Sequence, residues 1–418
     1  MTAALAPPNE IGPTTTSSRQ RIGRSTPSAG SRRRSPPLLT DLLLSLLFFA
    51  LMIDSGGELG LRTVGLALLV PLSATRLREL RLFPREILIW AIGCVLLSPS
   101  LFSSLFKSIP IAPIIVWTFP ILVFPLLLAA TRANRLTVNH FINGGLLFAV
   151  VILILFYGRL NQIDQITAVH DFMSERSAGF FNEKKVFFED ATPVVYFQGT
   201  LALVMCAVLA IGQGRYVTYI VVCIALLVAP SRFGVVLSLF FGAAMLGIKF
   251  YRRSGFWIML GFVVVGVTIG LTSAPESFVE IFSSEGEGSQ VRLLHVASVL
   301  DLFDQKPFLL LLGDGPGTSF FSRGFNALTD NIEISQLEVL RKFGLPFALG
   351  ITGLLGAVCF RLLHQRCRSM ALALIAHYVV AFSNPVLFAL PAVFLFAISL
   401  AALPPHRFRT CPKSSPSL

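Results

Sequence analysis

The sequence predicts an all-α, polytopic integral membrane protein, and three observations carry that prediction. Of 418 residues, 54% are hydrophobic and 13% charged, whereas a soluble domain is roughly a quarter charged. The apolar runs recur from residue 38 to residue 403, so this is no single anchor on a globular head. The runs are continuous Leu, Phe and Val stretches without the ten-residue alternation of a barrel. Only helices satisfy their own backbone groups inside such segments. A cytosolic enzyme, a disulfide-rich secreted domain and a disordered chain are excluded together.

A helix needs about 20 mostly apolar residues to cross ~30 Å of hydrocarbon. The runs at 38–53, 60–75, 87–106, 109–130, 138–157, 191–211, 216–230, 233–249, 255–273, 343–361, 369–386 and 387–403 are the candidates. Pro230 and Pro385 allow neighbouring pairs to be divided differently, so ten to twelve spans are expected.

The net charge of +12 is explained by its distribution. With the N-terminus in the cytoplasm and twelve crossings, the inner segments carry 22 Lys and Arg against four acids (Glu10, Asp41, Glu79, Glu86). The outer loops carry 11 against 18, and Arg62 falls inside the second span. Every short inner loop is basic, as the positive-inside rule requires. The basic balance is topology, not affinity for nucleic acid, and both termini are expected inside.

Residues 1–37 are rich in Pro, Ser, Thr and Arg and read as a disordered basic cytoplasmic tail. Arg32, Arg33 and Arg34 anchor it inside, with anionic lipid as a compatible neighbour. The membrane domain is 38–403, and 404–418 form a cytoplasmic C-terminal tail. Cys94, Cys206, Cys223 and Cys359 sit in spans, Cys367 and Cys411 on the inner side, and none forms CxxC; no disulfide or zinc site is expected. His140, His295, His364 and His377 are scattered without ligand spacing, so no metal site is expected either. With no Walker loop and no GxGxxG, no cofactor is implied.

Two long outer loops, about 158–190 and 274–342, stand apart, and long loops between helices are usually functional. Residues 161–176 suit an interfacial helix, 290–305 have apolar residues at helical spacing, 313–317 (GDGPG) form a turn, and 330–343 lead as a helix into the next span. Arg159, Arg176, Arg232, Arg292 and Arg323 lie on this outer side. A lone Arg232 at a span end reads as a snorkelling cap. Five such arginines also suit a phosphate site, because guanidinium presents a fixed, permanently charged fork. His295, three residues after Arg292, is either a packing residue or a catalytic one. Glu183, Glu189, Asp190, Asp314, Asp330, Glu333 and Glu338 are all available as bases, and spacing does not choose among them.

RSAGFFNEKK (176–185), APSRFGVVLSLF (229–240), VRLLHVASVLDLFDQKPFLLLLGDGPGTSF (291–320), DNIEISQLEVLRKFGLPFALG (330–350) and SNP (383–385) together resemble, in pattern and order, the bacterial O-antigen polymerase and ligase superfamily. The likeness covers roughly residues 170–390. It implies a glycosyltransferase at the outer face of the plasma membrane that moves glycan from undecaprenyl diphosphate to an acceptor sugar. O-antigen, capsule and exopolysaccharide are possible products, and a flippase and a chain-length regulator are implied partners. Carried over, Arg232 and Arg292 match the arginines that hold the diphosphate, and Arg176 matches that of the earlier loop. Arg323 is a further diphosphate candidate from the outer loop. The ligase branch has a histidine where this chain has Asp330-Asn331, which favours a polymerase over a ligase. Arginines would stabilise charge on the leaving diphosphate without a metal, while Glu333, Glu338 or Asp330 deprotonates the acceptor hydroxyl. The competing class is a flippase or exporter of lipid-linked glycan, whose charges should line a midplane cavity.

Overall fold

The computed structural model describes residues 38–74, 82–175, 195–229, 231–250, 287–332, 334–384 and 386–403, with the short pieces 179–180, 183–184 and 192–193. Both tails, the expected span 255–273, Arg176 and Glu333 lie outside the described residues. The elements are α1 (Leu38–Ile53), α2 (Leu61–Ala74), α3 (Pro84–Phe106), α4 (Ile111–Leu122), α5 (Phe124–Ala133), α6 (Val138–Leu160) and α7 (Asp164–Glu175). The short strands β1 (Gly179–Phe180), β2 (Glu183–Lys184), β3 (Thr192–Pro193) and β4 (Tyr196–Phe197) come next. Then come α8 (Ala202–Gly212), α9 (Tyr216–Val228), α10 (Arg232–Phe250), α11 (Glu287–Gln305), α12 (Phe308–Leu312), β5 (Phe320–Ser322), β6 (Ala327–Thr329), α13 (Ser335–His364), α14 (Arg368–Val380) and α15 (Leu390–Ala402). β1–β4, β2–β3 and β5–β6 are antiparallel pairs.

The chain is therefore a helical membrane protein. Every expected span on described residues contains a helix, but length separates them. Four are by themselves long and apolar enough to cross: Pro84–Phe106, Val138–Leu160, Phe233–Phe250 and Ser335–His364. α4 and α5, bent by 43°, make a fifth if they act as one span; six apolar helices are shorter, at 10–17 residues. The expected run 191–211 becomes a helix only from Ala202, because β3, β4 and a turn occupy its first half. Arg62, expected inside the second span, stands at the start of α2. Its amide and that of Leu59 donate to the buried Asp54 carboxylate at 3.0 and 2.9 Å. An acid at a helix N-terminus satisfies orphan N–H groups, which fixes α2 after its turn.

α8 is buried on all sides from Ala202 to Ile211, as a helix apolar all round must be. It forms the centre against which α6, α9, α10 and α14 pack. Several helix ends meet in pairs. Asp41 meets His140, Glu86 meets Arg132, Ser73 meets Asn134, Asn143 meets Arg215 and Tyr216 meets Lys249; these are all ends expected on one side. Lys107 meets Asp314, Gln336 meets Tyr378 and Ser335 meets Asn384, all ends expected on the other.

The described part of the second long loop, from Glu287 onward, is folded. Val299, Phe303, Leu309, Phe320 and Ile332 bury a small core of their own, joining α11, α12 and the β5–β6 hairpin. α7 and α11 occupy the helices expected at 161–176 and 290–305. The expected helix at 330–343 starts at Ser335 and runs into α13.

Candidate functional site

α13 is not one straight helix. Gly344 has φ 80° and ψ 168° inside it, a conformation close to glycine-only; a Cβ there would collide with the Leu311 carbonyl. Two residues on, Pro346 has no N–H to give the Lys342 carbonyl, its helical partner. The freed carbonyls are capped by the GDGPG turn. Asp314 N–H donates to the Arg341 carbonyl at 2.7 Å, and Gly315 N–H donates to the Lys342 carbonyl at 3.0 Å. The end of α3 holds the turn from behind: Ser103 Oγ donates to the Asp314 carbonyl at 3.0 Å and Ser104 Oγ to the Pro316 carbonyl at 2.8 Å.

On the helical piece before the break, Glu338, Arg341 and Lys342 share one face, at i, i+3 and i+4, and all three are fully buried. Arg341 donates from Nε and Nη2 to the two Glu338 oxygens at 3.0 and 2.7 Å, a bidentate pair. Its Nη1 reaches Thr318 O and Oγ1 at 3.2 Å and Asp314 Oδ2 at 3.5 Å, and Nη2 also reaches the Asp330 carbonyl at 3.1 Å. The guanidinium lies 4.6 Å from the centre of the Phe320 ring. Every nitrogen of Arg341 is thus engaged, and it holds the loop rather than awaiting a ligand. Lys342 Nζ is 2.8 Å from Glu338 Oε1 and 3.7 Å from the centre of the Trp117 ring. Lys107 pairs with Asp314 and donates to its carbonyl at 2.8 Å. With its side chain 42% exposed, it is the cation of this group within reach of a ligand. Three cations face the Glu338 and Asp314 carboxylates, and the Asp330 carboxylate also acts on Lys342, so the charges of the cluster are close to balanced.

Below the cluster, Trp117, Phe343, Phe347 and Phe388 form an aromatic sleeve, with ring centres 5.0–6.5 Å apart. The last two also line an apolar groove of about 190 Å³ among α3, α4, α5, α13, α14 and α15, walled by Trp90, Ile121, Ile351 and Leu387 and reaching Glu86 at the start of α3.

Of the residues expected from sequence, Glu338 lies in the cluster and Asp330 joins it through its carbonyl, with its side chain at the exposed surface. Arg323 is exposed in the β5–β6 turn and pairs with Asp301. Arg292 is half-buried on α11. His295, three residues on, is fully buried, with Nδ1 2.6 Å from Ser322 Oγ and its ring against Phe325. It clips the hairpin to α11, which is the packing role. Arg232 opens α10, and its side chain lies outside what is described. Sequence reasoning missed Lys107, Arg341 and Lys342. The spacing of Glu338, Arg341 and Lys342 just ahead of Gly344 and Pro346 was the available signal. No protein-family model, no curated protein and no solved structure matches the chain.

Proposed function

We propose that this protein is a membrane-embedded glycosyltransferase that extends glycan carried on a lipid diphosphate, at the outer face of the plasma membrane. One observation supports the reading most: an ion cluster with an accessible lysine, linked to an apolar groove through the stacked rings of Trp117, Phe343 and Phe347. That pairing suits a ligand with a long apolar tail and a multiply charged head. Lys107 joins Arg232 and Arg292 as proposed diphosphate ligands, with Arg176 and Arg323 as further candidates. These cations would stabilise charge building on the leaving diphosphate. Glu338, locked between Arg341 and Lys342, serves as organiser of the loop. Asp330, at the surface, is the better-placed base of the pair, with Glu333 as its alternative. The glycosyl diphosphate supplies the energy.

Purified protein in detergent, given undecaprenyl diphosphate-linked repeats, should therefore make longer glycans without ATP. Unchanged length would reject the reading. Buried charges beside a broken helix also occur in transporters, and that observation favours, as second reading, a flippase or exporter of lipid-linked glycan. It would move substrate across sealed vesicles and leave its length untouched.

Lys107→Gln should cut elongation severely per folded molecule and also lower the unfolding midpoint, because its partner Asp314 is buried and loses a cation. Arg232→Lys, which keeps charge but loses the fork, should likewise cut elongation if Arg232 grips phosphate, and do nothing if it is an end-cap. The topology follows from the charge split: cysteines at Gln165 and Ser289 should label from outside, and those at Arg78 and Gln365 from inside.

A further inference from the structure

α12 has the sequence FLLLL, and only Leu309 is buried. Phe308 is 58% and Leu311 59% exposed, with Leu310 and Leu312 exposed beside them. In a loop surrounded by water, four exposed large apolar side chains within five residues would be costly. The position of the segment gives the reason they are tolerated. After α12 the chain runs down the side of α3: a Cβ on Gly315 would stand 2.9 Å from the Ser100 carbonyl. Ser100 is six residues before the end of α3, which is about 9 Å along the helix axis. On the other side, the Leu311 carbonyl abuts Gly344, nine residues into α13. The α3 side chains at this level, Phe102 and Phe106, are themselves exposed, as lipid-facing residues of a span are.

Irregular backbone at such a depth requires internal partners for its polar groups. They are present. The amides of Gly313, Asp314 and Gly315 donate to the carbonyls of Leu309, Arg341 and Lys342 at 2.7–3.0 Å. The carbonyls of Asp314, Gly315 and Pro316 accept from Ser103 Oγ, Thr318 Oγ1 and Ser104 Oγ.

We propose that residues 308–317 are a re-entrant segment that dips into one leaflet beside α3, with Phe308 and Leu310–Leu312 against lipid acyl chains. The dip carries Asp314 below the membrane surface and turns the Lys107–Asp314 pair toward the bilayer. A charged lipid head can then approach the cluster sideways from the leaflet. The inference depends on α3 and α13 crossing the membrane and is independent of the reaction catalysed.

The test uses the full chain in phosphatidylcholine vesicles with a nitroxide on cysteines placed at Phe308, Leu311, Lys306 or Val116, after subtracting the signal of the unsubstituted protein. Lys306 is exposed just ahead of α12 and Val116 is exposed on the span α4. All four positions are exposed, and variants that keep the parent unfolding midpoint are compared. Labels at Phe308 and Leu311 should relax with oxygen and lose access to a water-soluble nickel chelate, as at Val116. Chelate access equal to that at Lys306 would place the segment in water and overturn the proposal. Shielding from both relaxants would place it inside protein and overturn it equally.

Discussion

Two of the apolar helices break at a proline, and the molecule repairs the two breaks differently. In the α4–α5 pair, Pro125 cannot donate to the Ile121 carbonyl. Trp90 Nε1 from α3 donates to it instead, at 3.0 Å, and the helix resumes after a 43° bend. In α13, Pro346 cannot donate to the Lys342 carbonyl, and the backbone of a distant loop does so, through Gly315 at 3.0 Å. The first repair needs one side chain and leaves the surroundings apolar. The second needs a glycine at positive φ, a threaded turn, two serines and a buried ion network. A proline break alone thus makes a bend. A break whose carbonyls are met by another backbone becomes a place where loop, charge and span converge.

The largest expected effect belongs to the network. Glu338→Gln leaves Arg341 and Lys342 buried with one carboxylate fewer, and breaking a buried pair costs about 3–5 kcal/mol. Folded yield and unfolding midpoint in detergent should both collapse; a midpoint within a degree or two of the parent would show that the cluster is not a unit. Gly344→Ala comes next. It forces a side chain into a strained conformation worth roughly 1–3 kcal/mol and against the Leu311 carbonyl, so the turn should detach and activity fall with stability. Trp90→Phe keeps the ring but leaves the Ile121 carbonyl without its donor, at about 1–3 kcal/mol. Its midpoint should drop, and elongation per folded molecule should fall less than in Gly344→Ala, because this break walls the groove but brings no charge to it. Smallest is Pro346→Ala. Gly344 and the Gly315 amide already hold the break, so the midpoint should move by less than about 1 kcal/mol. A large gain in stability would mean that the proline, not the glycine, keeps the helix open.

How much of this could be read beforehand differs by residue. α3 is legible at its end, where Lys107 closes the apolar run; its start lies three residues ahead of the expected 87, at Pro84, which suits a first helical position, with Glu86 accepting the Phe83 amide at 3.1 Å. The bend at Val123 is less legible, because Pro113, Pro120 and Pro125 all interrupt the same run. Pro120 lies inside α4, and the bend falls two residues before Pro125. In the loops, helical spacing revealed α7 and α11, while the arginines first singled out were chosen by rarity on the outer side. Rarity marks cost, not convergence. Arg323 meets Asp301 at the surface, and the buried guanidinium at the cluster is Arg341.

The sequence by itself determined what depends on transfer from water: that the chain is a helical membrane protein, roughly where its apolar helices lie, and which ends carry basic charge. Those properties are sums over neighbouring residues, and a window of 20 contains them. Only the tertiary structure decided that Asp314 and Lys107, about 200 positions apart, form an ion pair. It alone decided that Gly315 supplies the hydrogen bond that Pro346 withholds. These are pairings across the fold, where an unmet carbonyl or a buried charge is costly until some other segment reaches it, and nothing local in the sequence names that segment.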